Sequence, residues 1–472
     1  MGKQTGFLEY ERLEDPFRPE AERACDFEYL HTALTPEQRA QQAARCMNCG
    51  VPYCQSNYGC PLHNLIPEWN DLLYRGEIEE AIIRLTKTAS FPEFTGRVCP
   101  ALCEKACMLA ERGAVTTRDD ELFLIEEGYR RGLVKPRVPA VRTGKRVAVV
   151  GSGPSGLAVA DILNRRGHSV TVYEKSDRPG GLLQYGIPNM KLPKEIVERR
   201  IRLMEAEGVA FATNIAATKD TVAGFDAVVL CGGAGKPRGL NVAGEATPGV
   251  HFAVEYLTSA TKAVMSGEAP AIDAKGKHVI VVGGGDTGND CVGTVLRQGC
   301  ASVTELELMP AAPIERLPNN PWPEWPRTLR TDYGQLEAAE KQGSDPRLFL
   351  TTVRRCIPGE DGKLAAVEIA NVARTPEGRF EPVAGTEREL PCELLLIAAG
   401  FLGCDAANVE NFELSLTPRG SAATIDGSHR IGENLFTAGD FRTGQSLVVR
   451  AIADGKAAAR EVDAYLMGET SL

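Results

Sequence analysis

Seven cysteines fall within one stretch of the chain, at Cys46, Cys49, Cys54, Cys60, Cys99, Cys103 and Cys107. The stretch opens with one CxxC pair, continues with intervals of five and six residues, and closes with two intervals of four. A zinc ribbon would show two CxxC pairs and four ligands. Seven thiolates overfill such a site, and soft thiolate ligands suit iron–sulfur clusters. Pro61 and Pro100 directly follow Cys60 and Cys99, as in known cluster-binding runs. The set therefore points to two [4Fe-4S] clusters. Two clusters need eight ligands, so the eighth is Cys25 or a non-cysteine. The remaining cysteines, from Cys231 to Cys404, are scattered and read as small buried hydrophobes.

A second chemistry lies downstream. The apolar, β-branched run from Lys145 ends in Gly151-x-Gly153-x-x-Gly156, and a small-residue helix opens at Pro154 and Ser155. The glycines suit a tight turn, close approach of a pyrophosphate and close helix–strand contact, and the helix N-terminus favours phosphate charge. The strand Ser169–Glu174 ends in an acid placed to hold a ribose hydroxyl. Gly181, Leu182 and Gly186 follow in a glycine-containing turn that lets backbone pass close to a flat ring or phosphate. The pattern recurs at Gly283-x-Gly285-x-x-Gly288, with Asp286, Thr287 and Asp290 in the same turn and helix start. Two such βαβ starts imply two bound nucleotides. Glu307 matches Glu174 by strand register; an acid there favours NADH by repelling a 2′-phosphate, whereas Arg316 offers a partner for that phosphate. Both coenzymes stay open. Near the C-terminus, Gly439-Asp440 forms a turn suited to presenting a carboxylate to a flavin ribityl chain. Gln445, Ser446 and Leu447 open a last helix whose dipole would favour negative charge on a reduced flavin.

These residues need a scaffold of several cores, because 472 residues are too many for one. The expected fold is α/β, with two Rossmann-like nucleotide-binding domains, for FAD and NAD(P)H, preceded by an α-helical iron–sulfur domain. The expected division is 1–143 for the helical domain, 144–270 and 406–472 for the FAD domain, and 271–405 for the NAD(P)H domain. Thr35 as N-cap and Pro36 at the first turn predict a helix leading into Cys46. Further helices are expected over 66–75, 77–86 and 191–207. The Pro- and Trp-rich stretch Asn319–Pro326 reads as a docking or lid loop. A net charge of −10 argues against nucleic acid and against an anionic membrane surface. No apolar run reaches the roughly 18–20 residues that span a bilayer, and the first ten residues lack a signal-peptide core, so a cytoplasmic location is expected.

The order of these features resembles the small (β) subunit family of bacterial glutamate synthases. The likeness rests on Cys46-x-x-Cys49-Gly-x-Pro-Tyr-Cys54, Cys60-Pro61, Gly96-Arg-Val-Cys-Pro100, both glycine motifs, Asn320–Pro326 and Thr437-Ala-Gly-Asp440. The same architecture is similar to the N-terminal half of dihydropyrimidine dehydrogenase and to ferredoxin:NADP transhydrogenase large subunits. The resemblance implies FAD, NADPH or NADH, and two [4Fe-4S] clusters. It implies Cys46, Cys49, Cys54 and Cys107 for one cluster, and Cys60, Cys99, Cys103 and Glu121 for the other. It also implies a glutamate synthase large (α) subunit as partner in a hetero-oligomer, which makes L-glutamate from L-glutamine and 2-oxoglutarate. A rival within the same chemistry is a transhydrogenase-type subunit feeding a ferredoxin or another acceptor. No residue is singled out as a general acid or base.

Overall fold

The computed structural model describes residues 3–472. The helical region begins as expected. Thr35 and Gln38 close a reciprocal capping box on the helix Pro36–Ala44, with backbone-to-side-chain bonds of 3.2 and 3.0 Å. Helices Ile66–Tyr74 and Ile78–Thr88 form the expected pair and pack on each other. Pro92–Val98 then lies against Thr117–Arg130 so closely that a Cβ on Gly96 would sit 2.9 Å from Leu122 Cβ. Trp69, Phe91 and Phe94 are fully buried here, and their core is continuous with that of the first nucleotide domain.

The first nucleotide domain is a five-stranded parallel sheet, ordered Leu435–Thr437, Ala227–Leu230, Arg146–Val150, Ser169–Tyr173, Ala210–Ala212. The motif strand Arg146–Val150 is central and buried from Val147 onward, which explains its unbroken apolar run. The motif helix Pro154–Arg166 packs along the last helix, Val448–Met467, where a Cβ on Gly455 would meet Ser155 O at 2.4 Å.

The second nucleotide domain repeats the scheme, ordered Val250–Phe252, Leu394–Ile397, His278–Val282, Ser302–Glu307, Arg347–Phe349, again all parallel. Its first strand corrects the expected boundary at residue 270. Val250–Phe252 pairs with Leu395–Ile397, and the helix Ala253–Ser266 buries Ala253, Tyr256 and Leu257 in the second core. The chain changes domain at Lys236–Pro237 and returns at Phe401–Gly403, and these two crossing segments pair antiparallel. An antiparallel sheet, Thr351–Pro358, Leu364–Arg374, Phe380–Pro382 and Arg388–Pro391, flanks this domain. Among the described residues no helix is long and apolar enough to cross a membrane.

Candidate functional site

Both glycine motifs open into one cavity of about 1590 Å³ between the two nucleotide domains. A single small-ligand pocket holds roughly 300–1,000 Å³, so the space suits two ligands. On one side it is lined by Gly151, Gly153, Pro154, Ser155, Glu174, Gly181 and Leu182, and on the other by Gly283, Gly285, Asp286, Thr287 and Glu307. Asp440, Gln445, Ser446 and Leu447 close one end, beside the N-terminus of Val448–Met467.

The glycines divide by role. A Cβ on Gly153 or Gly285 would meet nothing within 4 Å, so these positions leave the backbone open to a ligand. A Cβ on Gly156 or Gly288 would lie 2.0 Å from Gly151 O or 1.9 Å from Gly283 O. Those two glycines let helix and strand touch and do not line the cavity. Gly439 holds a turn at φ +70° against Ser155, also behind the lining. Gly186 lies behind it as well, packed on Leu182.

The two acids occupy equivalent places. Glu174 Oε2 accepts from Ser152 N at 3.2 Å and Ser152 Oγ at 2.6 Å, and Ser152 Oγ accepts from Gly180 N at 2.9 Å. Glu307 accepts from Gly284 N at 2.9 Å and from Met309 N at 2.8 Å. Asp440 accepts from Ser446 Oγ at 2.6 Å, and burial raises its carboxyl above the ordinary range. Asp290 is set apart. It lies one turn inside the helix Asp286–Gln298, buried against Lys191 and Tyr333 and outside the cavity.

The clustered cysteines form two neighbourhoods. Cys46, Cys49, Cys54 and Cys107 line one small pocket with Tyr53 and Met108. Cys60, Cys99 and Cys103 surround the buried Glu121, whose charge acts on all three. Burial pushes the thiols of Cys46 and Cys99 up to about 12 and that of Cys60 to about 11. Burial likewise raises Glu121 to about 7, against the opposing hydrogen bond from the Thr95 hydroxyl. Among the described residues no three His, Cys, Asp or Glu side chains converge tightly enough to hold a single metal ion. Cys25 is exposed and bonded to Ala21 O, away from both neighbourhoods. The donor chemistry fits thiolate-held clusters: the buried thiols would become ligands by releasing their protons to solvent as a cationic group binds.

The Asn319–Pro326 loop sits on the first neighbourhood. Trp322 Nε1 donates to Cys107 O at 3.2 Å, and its ring lies 4.8 Å from that of Tyr53. Asn320, almost fully buried, ties the loop together by donating to Trp325 O and accepting from Arg327 N.

Residues 23–132 match the family model for dihydropyrimidine dehydrogenase domain II, 4Fe-4S cluster, and residues 145–318 match pyridine nucleotide-disulphide oxidoreductase. The glutamate synthase [NADPH] small chain of Bacillus subtilis is 46% identical, over 100% of both chains. The chain belongs to the glutamate synthase small-chain family. The small chain of Mycobacterium tuberculosis is 43% identical over 100% of this chain and 98% of its own. Glutamate synthase [NADH] of Schizosaccharomyces pombe is also 43% identical, over 100% of this chain but 23% of its own length. Among solved structures, FprA from Mycobacterium tuberculosis shares the fold with a TM-score of 0.52, at 18% identity over 69% of this chain and 85% of its own. Together these make the chain an NAD(P)H-dependent oxidoreductase of the FAD and 4Fe-4S type.

Membership does not bring dithiol chemistry with it. Among the described residues Cys231 is the one cysteine that lines the cavity, and a disulfide relay needs two. The motifs also leave part of the lining unseen: Asn214–Ala217, Lys262, Thr258 and Gly400–Phe401 reach the cavity from separate loops and helices. Of the further lining residues, the Gly232–Gly233 turn and Gly400 carry a signal in the sequence, each an apolar strand running into glycine.

Proposed function

We propose that this chain is the electron-input subunit of a cytoplasmic glutamate synthase. It oxidises NAD(P)H in the cavity between its nucleotide domains and delivers electrons to a large subunit that makes L-glutamate from L-glutamine and 2-oxoglutarate. The observation that carries this reading is the end-to-end match to small chains, at 46% identity over the whole of both chains. The partner is supported by the yeast protein, in which a region like this chain makes up 23% of a longer glutamate synthase.

Gly151–Ser155, Glu174 and Asp440 would hold FAD, and Gly283–Thr287 with Glu307 the nicotinamide coenzyme. The chemistry FAD would supply there is the splitting of a hydride's electron pair into single electrons, for which clusters held by the cysteines would offer the way out. The residues contribute orientation. Glu174 and Glu307 are fixed by backbone and hydroxyl donors, so each presents a carboxylate in one place to a ribose. The N-terminus of Val448–Met467 directs its dipole at the cavity, favouring negative charge there. Two [4Fe-4S] clusters are assigned to Cys46, Cys49, Cys54 and Cys107, and to Cys60, Cys99, Cys103 and Glu121. Cys60 lies within reach of Lys456 on the last helix, so the second set faces the flavin domain. Three of the first set are partly exposed, so it faces the surface.

NADPH is the coenzyme named for the bacterial relatives. NADH is the second reading, favoured by Glu307, whose carboxylate would repel a 2′-phosphate.

The test is anaerobic. NADPH or NADH should bleach the flavin absorbance of the isolated chain, and gentle purification from its own cells should bring down a large glutamine-using subunit. A small ferredoxin-like partner instead would move the chain to transhydrogenase-type electron transfer. Absence of bleaching by either coenzyme would end the oxidoreductase reading.

A further inference from the structure

The cavity is shared by two domains joined by only two crossing segments, so something must fix how the second domain sits over the first. Among the described residues two ion pairs near this cavity link the two nucleotide domains across their boundary. Lys262–Asp177, at 3.4 Å, has both side chains about half exposed and contributes little. Lys191–Asp290, at 3.1 Å, is largely buried, with side chains 17% and 6% exposed.

Lys191 belongs to the loop between the cavity-lining turn at Gly181–Tyr185 and the helix Lys194–Ala206 of the flavin-side domain. Asp290 lies one turn beyond Asp286 and Thr287, which line the coenzyme side. The same carboxylate oxygen accepts from Tyr333 OH at 3.0 Å, and the Lys191 ammonium stands 5.9 Å from the Tyr333 ring centre. The N-terminal segment seals the junction: Leu30 N donates to Met190 O at 3.0 Å, and Asn189 donates to Phe27 O at 2.9 Å. Arg23 from that segment pairs at 2.8 Å with Glu337, which also holds Arg297 on the Asp290 helix.

A buried ion pair adds little net stability, because desolvation offsets its attraction; its best-attested use is to specify one arrangement over others. Reacting atoms must approach to roughly 3–3.5 Å, and a misplacement of about 1 Å costs on the order of 10²-fold in rate. From these observations we infer that Lys191, through Asp290 and Tyr333, is a positioning residue that sets the coenzyme domain in register over the flavin site. The inference rests on the reading of the cavity given above and adds a residue that touches neither nucleotide.

The holoenzyme carrying Lys191→Met and Asp290→Leu together tests it, because the double change leaves no unpaired buried charge. Expected are flavin content and melting temperature near those of the parent, flavin bleaching by saturating NAD(P)H slowed about 10²-fold, and faster hydrogen exchange over residues 187–193 and 286–292. Bleaching and exchange at parental rates would overturn the inference. Should the double variant fail to fold, Lys191→Gln gives the same readouts, and unchanged exchange and bleaching there would overturn it equally. Failure of the parent itself to bleach would instead remove the underlying reading of the cavity.

Discussion

At the scale of single residues, the two acids show how little separates the two nucleotide sites. Each lies one residue beyond the last position paired with its motif strand, after Tyr173 and Leu306, and each accepts from the second residue of its glycine motif. Glu174 is also locked by Ser152 Oγ, whereas both bonds found on Glu307 come from backbone. Replacing Glu307 by Gln keeps an acceptor but removes the charge that a 2′-phosphate would meet. The ratio of kcat/KM for NADPH to that for NADH should rise about tenfold, a change of about 1.4 kcal/mol. Initial rates with both coenzymes check this, and an unchanged ratio would place the ribose elsewhere. Gly153→Val separates ligand from fold in the same way. Its Cβ would enter open cavity with no protein atom within 4 Å, so the variant should keep its far-ultraviolet circular dichroism yet purify colourless. A yellow protein would show that the first motif does not hold the flavin. These glycines were legible because motif spacing encodes their contacts. Asp290 was not: from sequence it shares the motif helix with Asp286, and only the tertiary contact with Lys191, 99 residues away, turns it from the cavity.

At the scale of elements, the last helix and its preceding turn form one unit. Asp454, in that helix, accepts from Gly439 N at 2.7 Å and pairs with Arg442, which holds the turn that presents Asp440. His429 completes the unit, with Nδ1 2.7 Å from Glu461 and Nε2 3.3 Å from Asp454. Burial works against the charged imidazole, but the hydrogen bonds to Asp454 and Glu461 prevail and raise its pKa above the usual value. A raised folded-state pKa gives stability that is complete below the unfolded value of about 6.5 and fades as pH rises through the folded value. The parent should therefore melt higher than His429→Gln at pH 6, with the gap narrowing toward pH 9. A gap independent of pH would mean that the imidazole acts only by packing. Sequence periodicity found the long elements of this unit and of both sheets, since buried parallel strands read as apolar runs. It missed Val250–Phe252, because three residues carry no period and their place is decided by pairing with a strand about 145 positions later.

At the scale of the whole molecule, the parts that matter most for electron delivery meet through contacts distant in sequence. Trp322 reaches Cys107 across 215 residues, and the N-terminal segment bridges both nucleotide domains; neither contact leaves a local trace in the chain. The Asn319–Pro326 stretch was legible as a docking or lid loop from its prolines and tryptophans, but not what it rests on. That seat places an element of the coenzyme domain on the shallower cysteine set, so the cavity and the surface-facing cysteines belong to one connected body. Input and output should nevertheless separate by mutation, because no cysteine of that set lines the cavity. In Cys49→Ser, one of the three partly exposed thiols proposed as ligands of the first set is lost while every group lining the cavity remains. The expected outcome is flavin bleaching by NAD(P)H within twofold of the parent, with glutamate formation by the complex with the large subunit reduced at least 10²-fold. Both are measured on the same anaerobic preparation, together with the iron content. Parental glutamate formation with iron lost would mean that electrons leave by a path that bypasses Cys46, Cys49, Cys54 and Cys107. Loss of bleaching itself would mean that these cysteines shape the flavin domain through the core the two regions share.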